Sequence, residues 1–209
     1  MATRQQGDRI RSDSLVDSVS IGGGLAAGVI AYVLGYGVIA ISKSDAIDSA
    51  SGVFGILSQF AGQIDYPTGW KLAGWVFYRA HNVDILLESS GTESSNPIAL
   101  TETVFWEPWF FAVPVIALAL AGAVVAYATA ARSTTAGAVA GGSVVLGYIP
   151  VVAVGAVVTG WSTASDGSFM SFEASAGPDL FPALLVAGFI YPLVVGGIGG
   201  SIAGAIRGR

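Results

Sequence analysis

Four stretches of the chain are long, apolar and free of charge. Residues 21–41 run for 21 positions without an ionised side chain. Residues 109–131 run for 23, opening on the aromatic cluster Trp106, Trp109, Phe110 and Phe111. Residues 136–160 close on Trp161, and residues 180–206 open on Phe181-Pro182 and end at Arg207 and Arg209. About 20 apolar residues cover the roughly 30 Å of bilayer hydrocarbon. The pattern therefore predicts an all-α membrane protein, a four-helix transmembrane bundle with a small α+β extracytoplasmic cap. Its segments are an N-terminal stretch 1–20, spans 21–41, 109–131, 136–160 and 180–206, a loop or cap 42–108, a turn 132–135, a second outer loop 161–179 and a tail 207–209. Arg4, Arg9 and Arg11 ahead of the first run have the look of a signal-peptide n-region. The run that follows is longer than the ~7–15 residues of an h-region, so a span is expected there.

Within the spans the recurring feature is the small residue. Gly188, Gly196, Gly200 and Gly204 fall at four-residue spacing with Pro192 in the missing place. Gly137 and Gly141 do the same in the third span, and Gly122, Ala126 and Ala130 in the second. Such stripes let helix backbones approach closely where no hydrophobic effect operates between helices, so these glycines are the expected helix-packing positions. Pro114, Pro150 and Pro192 are expected to kink their helices.

The 42–108 region is the one long enough for an extramembrane unit. Residues 52–64 place Val53, Ile56, Leu57, Phe60 and Ile64 on one helical face, too short to span, which predicts an interfacial, packed or re-entrant helix. Tyr66-Pro67-Thr68-Gly69 is a turn signal. Residues 70–81 read as a second short helix, where Lys71, Trp75 and Arg79 at i, i+4 and i+8 would let a cation cover the Trp75 indole. Residues 83–88 and 98–105 are β-prone around a polar stretch 89–96 and predict a hairpin, with 169–172 available as a further strand.

Charge sets the orientation. The 209 residues are 53% hydrophobic and only 11% charged, with 9 basic against 14 acidic residues and a net charge of −5. Arg4, Arg9, Arg11, Arg132, Arg207 and Arg209 fall on one side of the predicted topology and Lys43, Lys71 and Arg79 on the other. The excess of basic residues marks the cytoplasmic side, so both termini are expected in the cytoplasm and the protein in the cell membrane as a multi-pass chain. The opposite face carries eleven acidic residues. At roughly molar salt the Debye length is about 3 Å and such crowding costs little, so the acidic, lysine-poor composition suits an extreme halophile. The scattered basic residues exclude nucleic acid as a partner. The absence of cysteine excludes disulfides, thiolate metal sites and thiol nucleophiles.

The segment GWKLAGWVFYRAHNV at residues 69–83 resembles uncharacterised haloarchaeal four-span membrane proteins. That resemblance implies a halophilic origin and no particular activity. The topology, with a large first outer loop, a smaller second one and cytoplasmic ends, is similar to that of claudins by analogy of architecture. The paired cysteines and the tryptophan–glycine–leucine–tryptophan signature of that family's first loop are missing here.

Candidate chemistry is sparse. His81, Asp84 and Glu88 at i, i+3 and i+7 would share a face if the helix continued past Val83, where they could hold a divalent ion; the β-prone run that follows favours a solvated acidic surface instead. The chain has no Ser–His–Asp order, no His-Glu-x-x-His and no phosphate-binding glycine loop, so no enzyme, catalytic residue, cofactor or metal is expected. Apart from tyrosines the spans hold no ionisable residue, which removes the usual proton relay or ion-coupling site. The expected function is a structural scaffold or accessory subunit of a membrane assembly. Its expected partners are the lipid bilayer and either further copies of itself or a larger membrane-protein complex, with Trp70, Trp75, Trp106 and Trp109 as the contact surface. The alternative is a small passive channel or facilitative transporter with 52–64 as a re-entrant helix.

Overall fold

The structure is a computed structural model and describes residues 2–50, 65–89, 92–94, 106–166 and 171–209. It is mostly helical. Among the described residues four helices are long and apolar enough to cross a membrane: Ile21–Ser42, Pro108–Ala128, Thr134–Val158 and Leu180–Arg207. The first belongs to α1 (Ala2–Ser42). The second enters through a 3-10 turn, Pro108–Phe111, into α3 (Ala112–Ala128). Pro108 begins that turn, where its missing N–H has no helical partner to lose.

The third is interrupted. It comprises α4 (Thr134–Gly142) and α5 (Val145–Val158). Between them Val144, Leu146 and Gly147 donate to the carbonyls three residues back, at 3.3, 3.0 and 3.2 Å, and the Ser143 hydroxyl donates to the Ala140 carbonyl at 2.6 Å. The break falls at Ser143-Val144, directly after Gly141-Gly142, while Pro150 is accommodated inside α5. Two consecutive glycines and a serine that bonds back to its own helix weaken the regular ladder more than the single donor Pro150 removes.

The fourth widens as well as bends. After α6 (Leu180–Pro182) it runs through two π-helical segments, Ala183–Ile190 and Pro192–Gly196, into α7 (Gly197–Arg207). Pro192 has no N–H to continue the ordinary ladder, and the wider wind begins on either side of it.

The chain divides into two compact units. The first comprises residues 1–32, 115–150 and 189–209 and is purely helical. Its helices meet backbone to backbone. A Cβ added to Gly200 would stand 2.8 Å from the Cα of Gly141, and one added to Gly141 would stand 2.9 Å from the Cα of Gly200. Gly122 lies against the Gly196 carbonyl, Gly199 against that of Ala119, and Gly204 against that of Ser133. On another side of the unit Gly24 and Gly28 abut Ser143 and Val144, Gly147 abuts Leu25, and the Tyr32 and Tyr148 rings meet edge to face at 5.7 Å. The turn from α3 to α4 holds Ala130 at φ 56°, with Ala131 N–H donating to the Ala126 carbonyl and Ala130 N–H to that of Tyr127. These are the paired bonds that end a helix in a left-handed residue. Ser133 then caps α4 by accepting from the Ala136 N–H at 3.2 Å.

The second unit comprises residues 33–114 and 151–188. It contains α2 (Gly69–Arg79) and an antiparallel sheet of β1 (Ile85–Ser89), β2 (Thr92–Ser94), β3 (Trp161–Asp166) and β4 (Ser171–Pro178), in the order β2-β1-β4-β3. Ile85 pairs with Pro178 and Glu88 with Ser175, while Trp161 pairs with Ala176 and Asp166 with Ser171. Ala174, Ala176 and Pro178 alternate inward along β4, and α2 packs on β1 and β4. The hairpin differs from the expectation. Its second strand is Thr92–Ser94, inside the polar stretch 89–96, and 98–105 lies outside the described residues, as does the 52–64 helix. Residues 171–172 of the further expected strand do enter the sheet, as the start of β4.

Candidate functional site

The polar chemistry of the second unit centres on α2. This helix begins after Thr68, whose backbone is extended, and it ends where Asn82 turns left-handed at φ 59°. There the Val83 N–H reaches the Tyr78 carbonyl at 3.1 Å and the Asn82 N–H that of Arg79 at 2.9 Å, with Val83 fully buried. Asparagine tolerates the left-handed region better than other side-chain-bearing residues, which fixes the stop at this point.

One side of α2 faces the C-terminal end of α5. The Lys71 ammonium donates to the Gly160 carbonyl at 2.6 Å, the Trp75 indole N–H to the Thr159 carbonyl at 3.0 Å, and the Tyr78 hydroxyl to the Val152 carbonyl at 2.6 Å. Residues 71, 75 and 78 lie one helical turn apart in succession, so one stripe supplies all three donors. A helix C-terminus leaves its last carbonyls without intrahelical partners and carries a partial negative charge. A cation and an indole N–H placed there satisfy both needs. Close approach is possible because Gly74 sits in the same stripe: a Cβ on it would stand 3.2 Å from the Thr159 Cβ. Another side of α2 meets α1. The Tyr36 hydroxyl donates to the Trp70 carbonyl at 2.8 Å, and the Phe77 ring lies 6.1 Å from that of Tyr36 and directly over Gly35.

His81 closes this cluster. It is fully buried, its Nδ1 lies 2.8 Å from the Phe77 carbonyl, and its ring packs against Phe77 at 4.7 Å. Burial penalises the charged imidazolium and lowers the pKa to about 4, against a smaller upward pull from the Phe77 carbonyl. The imidazole is therefore neutral at pH 7. The helix stop at Asn82 separates the residues weighed as ion ligands. Asp84 pairs with Arg79 at 2.7 Å and Glu88 accepts a long bond from the Ser175 hydroxyl, while His81 points into the core. Among the described residues no three His, Cys, Asp or Glu side chains gather as a metal site.

A second cluster joins the end of α1 to the entrance of α3. Lys43, almost fully buried, donates to Glu107 at 2.5 Å, and Glu107 also accepts from the Trp109 indole. The bonds from Lys43 and Trp109 hold the Glu107 carboxyl below the ordinary carboxylate range. Phe110 is buried under this pair, with the Lys43 ammonium 5.5 Å from its ring centre, and Trp106 meets Phe111 edge to face at 4.8 Å.

The four tryptophans read from the sequence as one contact surface take different places. Trp75 is 3% exposed and bonded inside the fold, so it is removed from any docking surface. Trp70 is 49% and Trp109 44% exposed, and Trp106 is half-buried. Lys71 stands over the Trp70 ring at 5.7 Å, and Arg79 pairs with Asp84. Among the helix-packing positions, Gly137, Gly141, Gly196, Gly200 and Gly204 come together in the first unit, whereas Gly188 is buried in the second. The sequence reading missed Lys43–Glu107. Its signal was available: a lysine just past the first span and a glutamate just before the second must share one side of the membrane under a four-span topology. It also missed Gly24 and Gly28, hidden in a run with several glycines in competing registers.

These features define a mostly helical chain that has, among the described residues, four helices long and apolar enough to cross a membrane, together with a small sheet and the helix α2 that packs on it. Residues 1–207 match the family of unknown function DUF7978, and the chain belongs to that family. No curated protein and no solved structure matches it.

Proposed function

We propose that the protein is a four-span structural or accessory subunit of a membrane assembly, placed in the cell membrane with both termini cytoplasmic and the sheet and α2 outside. One observation carries the reading. Among the described residues of the second unit, the histidine and the basic side chains are engaged within the fold: His81 with the Phe77 carbonyl, Lys71 with that of Gly160, Lys43 with Glu107 and Arg79 with Asp84. Side chains committed to backbone carbonyls and to one another stiffen a scaffold, and they leave Trp70 and Trp109 as the exposed aromatic anchors for a neighbouring protein. Because the glycine stripes close on one another inside a single chain, assembly rests on such outer surfaces. The acidic balance of the outer segments suits work in high salt.

Cross-linking in native membranes at high salt tests the function. A discrete partner or homo-oligomer lost on Trp70→Ala supports it, whereas solute flux through the purified protein in liposomes would replace it with a channel. Orientation is tested by single cysteines, which this cysteine-free chain suits. Glu173→Cys should react with an impermeant reagent from outside and Thr135→Cys should not.

A further inference from the structure

In the first unit α3 and α7 do not close along their whole length. They leave an open groove of about 520 Å³ lined by Leu120, Ala123, Val124, Tyr127, Ala203 and Ile206, with Arg207 at one end. The volume falls inside the range of about 300–1,000 Å³ typical of small-molecule sites. Ala123, Ala128 and Ala203 are the small residues of its lining, and the larger aliphatic side chains Leu120, Val124 and Ile206 are all exposed.

Arg207 is held in place. Its Nη1 donates to the Tyr127 carbonyl at 2.7 Å, and the guanidinium lies 4.5 Å from the Tyr127 ring centre. A guanidinium carries five N–H donors, so this bond leaves the outward-facing ones for an anion. Two further arginines belong to the same end. A Cβ on Gly208 would stand 3.1 Å from the Arg132 carbonyl carbon, which brings the chain around Arg132 beside that around Arg209, and both side chains are exposed.

We infer that this groove binds an anionic phospholipid, one acyl chain along Leu120, Val124 and Ile206 and the phosphate on Arg207. Charge complementarity selects the occupant: an apolar channel that ends in fixed positive charge matches a molecule with a long apolar tail and an anionic head. A soluble anion would gain nothing from the groove, and a zwitterionic lipid gains less from the arginines because its choline offsets the phosphate charge. The inference rests on the membrane reading, and its test separates the two.

The full chain is reconstituted in phosphatidylcholine vesicles at about 0.1 M salt, where the Debye length is about 10 Å. Flotation first establishes whether it enters the bilayer; failure there overturns the membrane reading itself. Spin-labelled phosphatidylglycerol and phosphatidylcholine then report which lipid the protein immobilises. The wild type should prefer phosphatidylglycerol by about fivefold, the effect of one well-placed cation. Arg207→Gln should bring the ratio close to parity, and Arg207→Lys should keep part of it, since it retains the charge and loses the planar fork. Ala203→Leu, which fills the groove and leaves Arg207 in place, should reduce the immobilised lipid even if Arg207→Gln does not fold. Equal immobilisation of the two lipids by the wild type, or full preference in a folded Arg207→Gln protein, overturns the inference.

Discussion

Gly141 and Gly200 press together so closely that a Cβ on Gly200 would stand 2.8 Å from the Gly141 Cα. Real Cβ atoms do not approach backbone at that distance, and backbone cannot swing aside as a side-chain tip can. Van der Waals contact is the main attraction between helices in lipid, and this pair maximises it. Gly200→Ala should therefore cost about 1–3 kcal/mol, as overpacking does elsewhere. Gly37→Ala is the control, because a Cβ there meets nothing within 4 Å. Thermal melting in detergent should show a clear fall for the first and little change for the second. Equal melting points would mean that α4 and α7 do not meet at these residues.

The pH response should follow His81. Its folded pKa of about 4 lies below the ordinary 6.5, so between those values the unfolded chain binds more protons than the folded one. Stability then rises with pH through this window and is lost as pH falls from about 6.5 toward 4. The full effect is roughly 3 kcal/mol from the size of the shift. Denaturation followed from pH 7 to pH 4 should show this slope, and His81→Phe should flatten it. A slope that survives in the variant would assign it to carboxylates such as Glu107, whose lowered pKa acts in the same direction at lower pH.

The turn into α4 offers a gain. Ala130 is exposed and held at φ 56°, a conformation that costs a residue with a Cβ about 1–2 kcal/mol and costs glycine little. Ala130→Gly should stabilise the protein by about 1 kcal/mol after the added freedom of the unfolded glycine is set against it. A rise in melting temperature checks it. A fall would show that the turn takes another shape.

The four long apolar helices were legible because some twenty consecutive apolar residues form a long helix more readily than anything else, and their positions needed nothing beyond length. The interruption at Ser143 was less so, since Pro150 is the louder signal and Gly-Gly-Ser acts through the local ladder. Strand β2 was hidden for a different reason. Its residues, Thr92-Glu93-Ser94, offer no apolar alternation, and they pair along the edge that β1 presents. The fates of His81 and Trp75 depended on which helix end approaches α2, and period 3.6 says only which residues share a face. Asn82 was the readable clue to where α2 stops, and it alone rules out a continuous helical face through His81, Asp84 and Glu88.

The capping of α5 by α2 gives the sharpest separation between a fold role and a surface role. Trp75 is buried and donates to the Thr159 carbonyl, while Trp109 is exposed and donates to Glu107. Trp75→Phe keeps most of the apolar body and removes the N–H, leaving a buried carbonyl short of its partner at a cost of about 1–3 kcal/mol. Lys71→Met removes the cation from the same helix terminus and should cost about 1 kcal/mol. Trp109→Phe loses one bond at an exposed site, and its effect on stability should stay within about 0.5 kcal/mol. Hydrogen exchange tells these apart locally. The first two variants should speed exchange of the amides in Gly69–Arg79 and at Thr159 and Gly160, while those of Thr134–Gly142 stay protected, since α4 is held by its glycine contacts in the other unit. Uniform loss of protection across both units would mean that α2 is part of one cooperative fold and not a separable cap. Unchanged protection would mean that the carbonyl bonds from Lys71 and Trp75 contribute nothing.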